Sequence, residues 1–296
     1  MQTHSLPTGS IPALVTPMLN DGAIGWTAFR ALIDWHVESG SNAIVVAGST
    51  GETATLTMEE HKRLIAEAVD HAAGRIPIIA GTGANATWEA IELTRAAEKA
   101  GVSAALSVVP YYNKPTQHGL FAHFEAIADA SGLPVILYNV PSRTITDLGD
   151  DILLRLAEIP NIAGLKDATG DIGRGIALLR DLPDDFALYS GDDPTAAALM
   201  LHGARGNISV TANVIPAIMS RLCEAAISGN VETVQSLSRR IAPLHTAMFV
   251  ESNPIPVKFA LAQLGRIADN YRLPLTPLST ALRPAVIQAL AEVATA

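Results

Sequence analysis

The chain has 296 residues, 49% of them hydrophobic and 17% charged, with a net charge of −9 and one cysteine, Cys223. Such apolar content supplies a large core and excludes a disordered chain, the acidic balance lacks the basic footprint of a nucleic-acid binder, and one cysteine cannot build an intramolecular disulfide framework. The opening MQTHSLPTGS has neither the basic nor the apolar region of a secretory signal, and no apolar run approaches the roughly 20 residues of a membrane span, so the chain reads as soluble and cytoplasmic.

Eight short apolar runs follow one another, at 11–15, 43–47, 76–80, 104–109, 135–138, 162–165, 187–189 and 207–210. None alternates with polar residues, which suits strands buried on both faces of a parallel sheet. Amphipathic stretches with helical spacing lie between them, at 58–73, 88–100, 120–130 and 151–158. Thr57 with Glu60 three residues on predicts a capping box. Gly40, Gly74, Gly101 and Gly132 stand where C-terminal cap glycines belong. A strand start recurs about every 20 to 35 residues, a βα rhythm that predicts a (β/α)8 barrel of the TIM type. No dinucleotide fingerprint follows the first run, which argues against an open nucleotide-binding sheet. From about residue 225 the texture changes, and 231–250, 254–264 and 282–294 read as helices without strands between them. The expected organisation is a catalytic barrel over 1–225 and a C-terminal helical extension over 226–296.

Barrel enzymes build their active sites at the C-terminal ends of the strands. The polar residues there are Ser49 and Thr50 after the second run, Tyr111 and Tyr112 after the fourth, Tyr138 and Arg143 around the end of the fifth, Lys166 and Asp167 at the sixth, and Asp192 and Asp193 after the seventh. Of the five lysines, Lys62 and Lys99 lie on helix surfaces, Lys114 in a loop and Lys258 in a C-terminal helix, so only Lys166 ends a buried strand. Desolvation there lowers the amine pKa and leaves a nucleophile able to form an imine with a ketone. The competing reading is a structural lysine paired with Asp167 or another carboxylate, and position alone does not choose.

Schiff-base chemistry must move protons. Tyr138 on the adjacent strand is a candidate acid/base, and Ser49 and Tyr112 bring hydroxyls for a relay, although each is also an ordinary strand-end residue. The turn 48–51, expected at a helix N-terminus, offers backbone N–H groups and the Thr50 hydroxyl to a carboxylate. Arg143 could grip a second carboxylate. The eight histidines are scattered, no HExxH or Cys/His cluster exists, and no metal site is expected.

Together the segments GSTGETATL, AGTGAN, PYYNKPTQHGL, YNVPSRT, GLKDATGD, SGDD, ISVTANV and NPIPVK resemble the dihydrodipicolinate synthase (4-hydroxy-tetrahydrodipicolinate synthase) family of the N-acetylneuraminate lyase superfamily, in family order across nearly the whole chain. The resemblance implies that Lys166 forms an imine with pyruvate, Tyr138 exchanges protons, and Ser49 and Tyr112 complete the relay, with Tyr112 reaching into a neighbouring subunit's site. Thr50 and the backbone of Ile208 would bind pyruvate. Arg143 would meet the carboxylate of L-aspartate 4-semialdehyde. No cofactor is implied; the assembly would be a homotetramer built as a dimer of dimers.

Two positions depart from the pattern. Ser49 stands where the family more often has threonine, and sialic acid lyases also carry serine there. Positions matching a feedback site for L-lysine are Ala54, His61, Asn85, Glu89 and Tyr111, but Met58 replaces a histidine of many sensitive members. The alternatives are another pyruvate-dependent lyase, acting on sialic acid or a 2-keto-3-deoxy sugar acid, or a non-catalytic barrel. Tyr112 and Arg143 speak against the first, and the intact set of lysine and hydroxyls against the second.

Overall fold

A computed structural model describes residues 6–295. Eight parallel strands, β1 Gly9–Pro12, β2 Ile44–Val46, β3 Ile78–Gly81, β4 Ala104–Val108, β5 Val135–Asn139, β6 Ile162–Asp167, β7 Ala187–Ser190 and β8 Gly206–Ser209, form one sheet in the order β1-β8-β7-β6-β5-β4-β3-β2. A bridge between Ala13 and Val45, with Leu14 N–H donating to the Val45 carbonyl at 2.8 Å, brings β1 to β2 and nearly closes the barrel. β4, β5, β6 and β7 start where predicted, and the other strand bounds move from the predicted runs by one to three residues. Apolar runs mark burial, whereas a strand is bounded by its ladder, and the two need not coincide.

Helices alternate with the strands: α1 Trp26–Glu38, α2 Met58–Ala72, α3 Thr87–Ala100, α4 Gln117–Asp129, the single turn α5 Pro141–Thr144, α6 Asp150–Leu156, α7 Ile172–Asp181, α8 Asp193–Leu201 and α9 Pro216–Ile227. Three more follow, α10 Val231–Ala247, α11 Ile255–Gln263 and α12 Arg283–Thr295. The Thr57–Glu60 capping box is formed in both directions, a feature worth about 1 kcal/mol. Gly40, Gly74 and Gly101 adopt positive φ just past their helices. Gly132 does not; Ala130 ends α4, and Gly132 N–H instead donates to the Glu98 carboxylate at 2.8 Å. Among the described residues no helix is long and apolar enough to cross a membrane.

Side chains alternate across each strand. Ile136 and Tyr138 point into the barrel with Ile11, Val45, Ile79 and Ile208, while Val135 and Leu137 face the helices. The β5–β6 register pairs Ile136 with Gly164 and Tyr138 with Lys166. Lys166 therefore shares the inward parity of Tyr138, at the C-terminal end of the barrel. The neighbouring Asp167 takes the outward parity.

Candidate active site

Lys166 and Tyr138 are the floor of a cavity of about 670 Å³ at this end, also lined by Thr50, Arg143, Val210 and Asn253. Its size is that of a small-molecule site. Lys166 is 6% exposed, and its Nζ lies 4.2 Å from the centre of the Tyr138 ring. Burial pulls the amine down to about 7; Asp193 opposes this and Arg143 adds to it. The ion-pair reading of Lys166 fails on parity. Asp167 turns outward, where Arg174 Nη1 donates to it at 2.8 Å and the Thr169 hydroxyl at 2.6 Å. Lys166 is thus a buried amine without a carboxylate partner among the described residues, the condition under which it is uncharged and nucleophilic near neutral pH.

Gly191, just after β7, is what lets the lysine lie where it does. A Cβ there would stand 2.8 Å from Lys166 Cε and 2.8 Å from Ala168 Cβ. The Tyr138 hydroxyl is pushed up by burial, with the charge of Arg143 and a hydrogen bond with Ser49 pulling the other way. It stays protonated at neutral pH, as a proton donor to the lysine's chemistry must.

The turn at 48–51 is closed by Gly51 N–H donating to the Gly48 carbonyl at 3.0 Å, and the Thr16 hydroxyl donates to the Gly51 carbonyl at 2.7 Å. The expected helix N-terminus does not follow. Glu52 takes the left-handed backbone (φ 59°), a 3-10 turn Thr53–Thr55 comes next, and α2 starts only at Met58. To a carboxylate the turn offers the Thr50 hydroxyl and local N–H groups, with no α-helix dipole behind them. Gly81 and Gly83 keep the neighbouring backbones close: a Cβ on Gly81 would collide with the Ala47 carbonyl, and one on Gly83 with Val108 N.

Arg143, at the end of α5, donates through Nη2 to the Asn253 carbonyl at 3.0 Å. Ile208 is buried in the barrel on β8, two residues before the cavity-lining Val210. Tyr112 is not brought into its own chain's cavity: it is 90% exposed with φ 75°. Ala54 and Tyr111 line a second cavity of about 280 Å³ that shares Arg143 and Asn253 with the first. Burial, and after it the charge of Glu89, raises Tyr111, while a hydrogen bond with the Asn85 backbone opposes the shift. His61 is buried and committed on both ring nitrogens, Nε2 at 2.7 Å from the Gly81 carbonyl and Nδ1 at 3.3 Å from the Thr53 hydroxyl. No group of three or more His, Cys, Asp or Glu among the described residues could hold a metal ion.

Two contributors escaped sequence reasoning. Lys258, assigned to a C-terminal helix without a role, is 0% exposed and ion-paired to Glu52. Asn253 enters both cavities. The signal for both was present in the NPIPVK segment, where a lysine sits inside an otherwise apolar helix.

The arrangement matches known proteins throughout. The model of the dihydrodipicolinate synthetase family matches residues 6–293. The 4-hydroxy-tetrahydrodipicolinate synthase of Dechloromonas aromatica is 57% identical over 283 residues, 96% of this chain and 97% of that one. That of Nitrosomonas europaea is 57% identical over 286 residues, 95% of this chain and 98% of its own. Among solved structures, the chloride-inhibited dihydrodipicolinate synthase of Acinetobacter baumannii, complexed with pyruvate, superposes with a TM-score of 0.96 at 56% identity, covering 97% of this chain and 99% of that one. A buried unpaired lysine stacked on a tyrosine at the mouth of a (β/α)8 barrel, and this likeness over nearly the full length, place the chain in the dihydrodipicolinate synthetase family.

Proposed function

We propose that Lys166 forms an imine with pyruvate and that the derived enamine condenses with L-aspartate 4-semialdehyde, giving 4-hydroxy-tetrahydrodipicolinate for lysine and diaminopimelate biosynthesis. Neutral Nζ attacks the ketone carbon, and water leaves the carbinolamine. Loss of a methyl proton gives the enamine, whose carbon attacks the aldehyde. The substrate's own amine then displaces Lys166 and closes the ring. Tyr138 hands protons on at these steps, with Ser49 and Tyr112 as relay; Thr50 and the Ile208 backbone hold the pyruvate carboxylate, and Arg143 the carboxylate of the aldehyde. The observation that carries this reading is the unpaired, buried Lys166 against the Tyr138 ring.

We read the working state as a homotetramer, a dimer of dimers, in the cytoplasm, with the extension over 226–296 closing over the barrel mouth. Support for shared sites comes from Tyr112, which is exposed and not among the residues lining its own chain's cavity. L-Lysine as an effector would meet Ala54, His61, Asn85, Glu89 and Tyr111 beside the second cavity. The committed ring of His61 and the thioether of Met58 leave few free donors there, which points to weak feedback.

Borohydride reduction in the presence of pyruvate tests the mechanism: inactivation with the mass added on the Lys166 peptide is expected. Turnover that survives with an unmodified Lys166 would overturn it. Product formation from pyruvate and aspartate semialdehyde, followed with a dihydrodipicolinate reductase, tests the substrate. Cleavage of sialic acid in its place would assign a different lyase.

A further inference from the structure

Thr50 and Arg143 both line the cavity, and one residue touches both. Asn253 lies between α10 and α11, in the segment that brings the C-terminal helices over the barrel. It is 6% exposed. Its Nδ2 donates to the Thr50 hydroxyl oxygen at 3.0 Å, and its backbone carbonyl accepts from Arg143 Nη2 at 3.0 Å. Its Oδ1 is buried with no hydrogen-bond partner among the described residues.

A hydroxyl has one proton and two lone pairs. With an amide N–H held on one lone pair, the Thr50 proton cannot point at Asn253 and is free for an acceptor elsewhere. Among the described residues Thr50 Oγ1 has no other hydrogen bond, and the open direction is the cavity that it lines.

We propose that Asn253 is a positioning residue that fixes the Thr50 hydroxyl as a donor to the pyruvate carboxylate, so that the C-terminal extension sets pyruvate affinity in the barrel. The inference rests on the proposed function, in which Thr50 binds that carboxylate. The action of Asn253 passes through one hydroxyl, and its side chain is dispensable for the Arg143 contact, which uses the main chain.

A double-mutant cycle on the full-length enzyme tests this, with Asn253→Ala, Thr50→Val and the pair. KM for each substrate, kcat and the pyruvate dependence of borohydride trapping are measured, and folding is checked by circular dichroism. Asn253→Ala is expected to raise the pyruvate KM roughly tenfold, the size of one lost hydrogen bond to a charged group, with the aldehyde KM changed less than about twofold. In the Thr50→Val background the same change should add nothing to the pyruvate KM. Fully additive effects, or a lower melting temperature with an unchanged pyruvate KM, would overturn the proposal. Asn253→Gln, which keeps the amide, reports independently: partial recovery of pyruvate affinity is expected, and none would count against it. Absence of a trapped adduct in the unsubstituted enzyme would instead refute the Schiff-base reading beneath it.

Discussion

Glu52 and Lys258 stand 206 residues apart and form an ion pair in which both side chains are fully buried. Glu52 sits directly after the turn at 48–51 in a left-handed backbone conformation, and its other oxygen accepts from Arg272 N–H at 3.3 Å. A non-glycine residue in that region is strained and persists where its surroundings hold it. Lys258, on α11, supplies that hold and ties the C-terminal helices to the barrel mouth.

Removing one partner leaves an uncompensated buried charge. Lys258→Met is expected to destabilise the protein by about 3–5 kcal/mol. Glu52→Gln combined with Lys258→Met should recover much of the loss, because no bare charge remains. Urea unfolding of the single and double variants checks this. A double variant no more stable than the Lys258 single would show that the pair matters through something other than its charge.

Lys166 carries a stability cost that has a sign. Its folded pKa is lowered from 10.5 to about 7, so between these values the unfolded chain holds a proton that the folded chain lacks, and stability rises with pH through this window. Below pH 7 the full cost is present; above 10.5 it is gone. Lys166→Met is therefore expected to abolish activity yet raise the melting temperature by a few °C at pH 6. The advantage should shrink toward pH 10. A gap that does not change with pH would refute the assignment.

The same titration governs rate. Pyruvate kcat/KM should climb with pH, reach half its plateau near 7 and level off above that, as the amine becomes neutral. Arg143 helps hold that pKa down, so Arg143→Ala is expected to move this limb to higher pH. It should also weaken the aldehyde KM by roughly 10- to 100-fold, the range for losing a charged carboxylate contact. Pyruvate trapping at saturation should persist. A pH profile identical to that of the unsubstituted enzyme would remove Arg143 from the electrostatics of the lysine.

Why Lys166 was legible and Lys258 was not has a physical explanation. Lys166 ends an apolar run on a strand, and period-two parity plus barrel topology decide which way it points. Lys258 belongs to a helix whose residues Ile255 to Leu261 are all buried. A helix apolar all round is itself a sign of complete burial, and a lysine in it requires a partner. That partner lies 206 residues earlier, a separation that no local pattern encodes. The turn at 48–51 was misjudged for a related reason: its glycines and hydroxyls signal an anion cradle, but the left-handed Glu52 that blocks a helix there is stabilised by Lys258 and Arg272 from the far end of the chain. Barrel, strand order and the residues at strand ends follow from local periodicity; the packing of the extension onto the mouth does not.

Tyr112 gives the prediction that separates assembly from chemistry. Its hydroxyl faces out at 90% exposure, so in an isolated chain it serves no proton relay. If it completes the site of a neighbour, Tyr112→Phe and Lys166→Ala damage different subunits' sites. Each variant alone should be severely impaired. In a mixed dimer the subunit carrying Tyr112→Phe keeps its own Lys166 and receives an intact Tyr112 from the Lys166→Ala partner, so one of its two sites is whole. Random pairing makes half of the dimers mixed, and co-expression or co-refolding should restore about a quarter of full activity, as closed two-fold assembly requires. Restored activity would fix both the dimer and the donor of the hydroxyl. No recovery, with mixed dimers demonstrated by mass spectrometry, would place the relay within a single chain or remove Tyr112 from it.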